Sequence, residues 1–102
     1  MIIPKSFKLL GKTIDVEFDK KLDTDNGVVG RCNFRSDKII LQPYSEEIAF
    51  SDNEREQIFL HELVHWIIFT MGRNNDLGAD EKFIDLFAGM LHQALNTMEY
   101  RG

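Results

Sequence analysis

The sequence is poor in residues that tie a small fold together: it has a single cysteine, Cys32, and two prolines, Pro4 and Pro43, in 102 residues. One thiol excludes an intramolecular disulfide and a cysteine-rich zinc knuckle, and it suits a reducing compartment, so a cytoplasmic location is expected. The longest apolar run is the four residues Trp66-Ile67-Ile68-Phe69. A bilayer span needs roughly 18, so no membrane segment is expected, and the first residues lack the apolar stretch of a signal peptide. Any clustering of Lys and Arg is also missing. The net charge is −5, with eight basic and eight acidic side chains in residues 1–50 and four basic against nine acidic in residues 51–102. Without a basic stripe to neutralise phosphates, the composition argues against nucleic acid as a partner.

What remains is an ordinary globular composition, 43% hydrophobic and 28% charged, in a chain of a length that supports one domain and no interdomain linker. Residues 7–10 and 13–18 read as two strands about Gly11-Lys12, with Ile14, Val16 and Phe18 alternating with polar residues at the period of a half-buried strand. Residues 19–27 are charged and end in the turn-forming pair Asn26-Gly27. Residues 28–34 and 38–41 suggest a second hairpin about Arg35-Ser36-Asp37, its short apolar strand Ile39-Ile40-Leu41 stopped near Pro43. Residues 1–45 are therefore expected to form a small, mostly antiparallel sheet of three to four strands.

Ser51-Asp52-Asn53-Glu54 has the form of a capping box, which opens a helix over residues 51–72 that Gly72 can end. The apolar residues from Ile58 to Met71 cover most of its circumference, so it is expected to be buried on more than one side. A second helix is expected over about 78–98, with a broad apolar face from Phe83, Ile84, Leu86, Phe87, Met90, Leu91, Ala94 and Leu95. Strands first and helices after give an α+β class.

The chemistry is concentrated in His61-Glu62-Leu63-Val64-His65. Two imidazoles four apart on a helix stand one turn above the other and can share one zinc ion, while Glu62 flanks the metal as general base. A third ligand must come from elsewhere. Downstream candidates are Asp76, Asp80, Glu81, Asp85 and His92. Glu81 and Asp85 share a helix face, which suggests Glu81 as ligand and Asp85 as the acceptor that orients a ligating His. His92 follows Glu81 by eleven residues, about 16 Å along a helix, too far to join them. Trp66 points away from the metal and is expected to pack on the sheet. Cys32 reads as a small buried residue rather than a fourth ligand, and Tyr44 as a loop tyrosine that caps the core edge, with a hydroxyl reaching the cleft as the alternative.

The two motifs together, His61-Glu-Leu-Val-His65 and Glu81-Lys-Phe-Ile-Asp85, resemble the pattern of the gluzincins, the thermolysin-like zinc metallopeptidases. In length and order of elements the chain is similar to the minigluzincins and to small phage- or prophage-encoded metallopeptidase-like proteins. The resemblance implies a zincin-like minimal domain holding one zinc through His61, His65 and Glu81, with Glu62 as base and Asp85 orienting a His. It also implies that Ile39, Ile40 and Leu41 form the edge strand on which an extended peptide pairs. The function expected is zinc-dependent hydrolysis of peptide bonds in a peptide or protein substrate. A metal-stabilised interaction module, such as a phage accessory protein, is the alternative.

Overall fold

Leu10 and Gly11, at φ 49° and 83°, form the left-handed two-residue turn that joins β1 (Ser6–Leu9) to β2 (Lys12–Phe18). Positive φ at both central residues matches the twist of a hairpin, and the register Leu9↔Lys12 puts the turn one residue earlier than the Gly11-Lys12 pair suggests. The computed structural model describes residues 1–22, 28–43 and 51–102. The Asn26-Gly27 turn and Tyr44 lie outside the described residues. β3 (Gly30–Asn33) and β4 (Lys38–Leu41) make the second hairpin.

The four strands form one sheet in the order β1-β2-β4-β3. Two of its ladders are antiparallel, as expected, but β2 and β4 pair in parallel, Val16 beside Ile39 and Phe18 beside Leu41, so the sheet is mixed. This corrects the placing of Ile39, Ile40 and Leu41 on an edge. They are interior, flanked by β2 and β3, with Ile39 0% and Leu41 1% exposed. The physical reason is visible in their composition: a strand buried on both faces carries an unbroken apolar run, whereas a half-exposed strand alternates. Among the described residues, the open edge on that side belongs to β3.

The long helix α1 (Asp52–Thr70) starts where Ser51 caps it: the Ser51 Oγ accepts from Glu54 N–H at 3.1 Å and its hydroxyl donates to the Glu54 carboxylate at 3.2 Å. It ends in a Schellman motif. Gly72, at φ 77°, donates to the Phe69 carbonyl, and Arg73 N–H donates to the Ile68 carbonyl, both at 3.0 Å. After a 3₁₀ turn (Leu77–Ala79), α2 (Glu81–Thr97) begins at Asp80, whose carboxylate accepts from Phe83 N–H at 3.1 Å.

α1 is the middle layer. One face meets the sheet: Phe59 packs edge-on against Phe7 of β1, and Trp66, fully buried, donates its Nε1–H to the Lys38 carbonyl at 3.0 Å. The other face meets α2, and one apolar cluster joins Ile14, Ile39 and Leu41 of the sheet to Phe59, Leu60 and Val64 of α1 and to Ile84 and Ala88 of α2. The broad apolar face of α2 is only partly used. Ile84 and Ala88 are buried, while Phe83, Leu86, Phe87 and Met90 are exposed, because α2 is an outer layer that packs on α1 and the 3₁₀ turn. No helix among the described residues is long and apolar enough to cross a membrane.

Candidate metal centre

His61 and His65 project from α1 one turn apart, their ring centroids 4.9 Å from each other, towards the start of α2. Asp80 ends its turn by capping α2, which places the next residue, Glu81, opposite the two imidazoles. The Glu81 carboxylate stands 3.3 Å from Nε2 of His61 through one oxygen and 3.3 Å from Nε2 of His65 through the other. Taking one donor atom from each residue, the three all lie within 4.8 Å of one another, close enough to converge on one ion. These residues can therefore hold a metal ion, and two imidazoles with one carboxylate suit zinc.

Asp85, one turn after Glu81, accepts from Nδ1–H of His61 at 2.8 Å. A proton held on Nδ1 leaves the Nε2 lone pair free, the tautomer that a metal ligand requires. Its side chain is largely exposed, so the bond acts through geometry more than through electrostatic strength. Asp85→Asn is expected to lower zinc affinity by about 10–100-fold without changing the stoichiometry at saturation. Competition against a chelating dye measures this, and an unchanged dissociation constant would show that Asp85 does not orient His61.

Glu62 turns about 100° around α1 from His61, towards the sheet. It is 8% exposed, and Cys32 on β3 holds it: the thiol lies 3.1 Å from Oε2 and 3.2 Å from the Glu62 main-chain carbonyl, its one proton shared between the two acceptors. Burial first, and the facing Glu62 carboxylate second, push the Cys32 thiol well above the usual range for cysteine, so it stays protonated and remains a donor. Gly30 lets β3 come this close. A Cβ there would stand 2.8 Å from Cγ2 of Ile58 and 3.4 Å from Cγ of Glu62.

The structure brings together His61, Glu62, His65, Glu81 and Asp85, and occupies the remaining candidates elsewhere. Asp76 pairs with Arg73, its Oδ2 2.9 Å from Nε and 2.6 Å from Nη2. Asp80 is spent on the helix cap, and His92 is buried against Glu56 at 3.1 Å. Ile39, Ile40 and Leu41 lie inside the sheet, away from any open edge. The strand beside Glu62 is β3. Gln42 N–H donates to the Val29 carbonyl at 2.9 Å; by the alternation of an antiparallel ladder Val29 and Arg31 face β4, and Gly30 and Cys32 turn their main-chain groups to the open edge. The contact that sequence reasoning missed is Cys32 with Glu62. Its only trace in the sequence is Gly30, a residue that permits close approach.

No protein-family model matches the chain, and no curated protein or solved structure matches it either. The functional reading rests on the residues themselves.

Proposed function

We propose that the protein is a zinc-dependent peptidase. The observation that carries this reading is the convergence of His61, His65 and Glu81, whose donor atoms all lie within 4.8 Å of one another, the two-imidazole, one-carboxylate set of a catalytic zinc site. A zinc ion there supplies Lewis acidity, lowering the pKa of a water molecule and polarising a substrate carbonyl. The chain's own residues do the rest. Glu62, adjacent to the centre and steadied on Oε2 by Cys32, takes a proton from the attacking water and delivers it to the leaving amine. Asp85 keeps His61 in its binding tautomer. The outward main-chain groups of Gly30 and Cys32 offer an extended peptide a strand to pair with directly beside Glu62.

The alternative, a metal-stabilised interaction module, draws support from the exposed residues Phe83, Leu86, Phe87 and Met90 on α2. Against it stands Glu62, since a structural zinc is closed by a fourth protein ligand and has no use for a buried carboxylate beside it. An unbiased peptide-library digest with zinc-loaded protein separates the two. The peptidase reading expects defined cleavage products that disappear on chelation and return when zinc is restored; a zinc-loaded protein that cuts no peptide would leave the interaction module.

A further inference from the structure

Next to the centre, bounded by residues 28–30, by α1 and by α2, is a cavity of about 680 Å³, within the size range of small-ligand sites. Its walls are aliphatic, from Val28, Val29, Ile58 and Ala88. One end is His61 and Glu62, where a scissile bond would lie. The other is Glu54, seven residues and so about 10 Å earlier along α1. Two of the cavity's carboxylates already have partners at the centre, Glu62 with Cys32 and Asp85 with His61. Among the described residues, the Glu54 carboxylate meets the Ser51 hydroxyl and no other side chain, and no Lys or Arg lines the cavity. Residues 23–27 and 44–50 contain no Lys or Arg either, so the chain supplies no cation from those segments. On α2 the cavity wall includes Gly89, where an added Cβ would meet nothing within 4 Å.

A space with aliphatic sides, a negative charge at its far end and room beside the backbone complements a group with an apolar stem and a cationic head. We infer that this cavity is a specificity pocket for a lysine or arginine side chain of a peptide, with Glu54 receiving the cationic end. The inference rests on the peptidase reading for its substrate class, and adds to it which side chains are selected. A peptide paired along β3 at Gly30 runs past the mouth of the cavity, and the absence of a side chain at Gly89 leaves room on the α2 side.

Equilibrium binding tests this without requiring turnover. The probes are fluorescein-labelled heptapeptide amides of alanine and glycine that differ at the central residue: lysine, arginine, norleucine or glutamate. Wild type is expected to bind the lysine and arginine peptides about 10-fold more tightly than the norleucine peptide, whose stem is alike but uncharged. Glu54→Gln keeps the capping geometry and is expected to erase that difference. Gly89→Leu is expected to fill the cavity and weaken the lysine peptide about 10-fold with no loss of thermal stability, because the leucine side chain enters open space and favours the helix. Equal binding of lysine and norleucine peptides by wild type, or a preference that survives Glu54→Gln, would overturn the pocket. Its fate separates cleanly from that of the peptidase reading: charge-selective binding without any cleavage would leave the pocket and remove the enzyme, and cleavage indifferent to lysine would do the reverse.

Discussion

Glu62→Gln is expected to lower the rate of peptide cleavage by about 10²–10⁴-fold, the range that a positioned general base contributes, while zinc content stays the same. The amide matches the carboxylate in size and can still accept from Cys32 through its carbonyl oxygen, so the packing between β3 and α1 is kept. What it loses is the ability to take a proton. The fall should therefore appear in kcat with KM little changed, since Glu62 acts on the reacting water and not on the remainder of the peptide. Steady-state kinetics on a peptide drawn from the library digest measures both. A glutamine variant that cleaves at the wild-type rate would remove Glu62 from the chemistry.

Trp66→Ala is expected to cost about 3–5 kcal/mol of folding stability, a large share of the roughly 5–15 kcal/mol a domain possesses. Trp66 is fully buried between α1 and the sheet, packs edge-on against Phe34 and Phe69, and ties α1 to β4 through the Lys38 carbonyl. Truncation leaves a cavity and also an acceptor that has lost its donor. Because Trp66 follows His65 directly, the loosened helix carries the candidate metal ligands His61 and His65 with it. Added zinc should recover part of the loss, as a ligand that binds only the folded state stabilises it. Urea unfolding of wild type and variant, with and without zinc, gives the numbers; a variant within about 1 kcal/mol of wild type would show that Trp66 does not hold the layers together.

The local parts of this arrangement are written in short stretches of sequence. Ser51 and Gly72 mark the ends of α1 because capping chemistry acts over three or four residues, and His61 with His65, like Glu81 with Asp85, share a face because helical spacing demands it. The approach of Glu81 to both imidazoles follows from those two patterns once α1 and α2 pack, so the candidate ligands were legible in advance. Strand order was not, because it depends on non-local pairing. Nothing near β2 announces that β4 will lie parallel to it, although the unbroken run Ile39-Ile40-Leu41 carries the signature of an interior strand. The broad apolar face of α2 was legible, but how much of it is covered was not, because burial depends on what lies opposite, and it is the side of Ile84 and Ala88 that is buried. Cys32 likewise gains its role only because β3 crosses α1 beside Glu62.

The most direct test of the central claim is zinc content per chain, measured by mass spectrometry of the metal in wild type and Glu81→Ala after saturation with zinc and removal of the excess. The account predicts one zinc per wild-type chain and little or none in Glu81→Ala, since losing one of three protein ligands should weaken binding beyond the roughly 10–100-fold that outer hydrogen-bond partners are worth. A wild-type protein that retains no zinc, or a Glu81→Ala protein that holds as much as wild type, would contradict it.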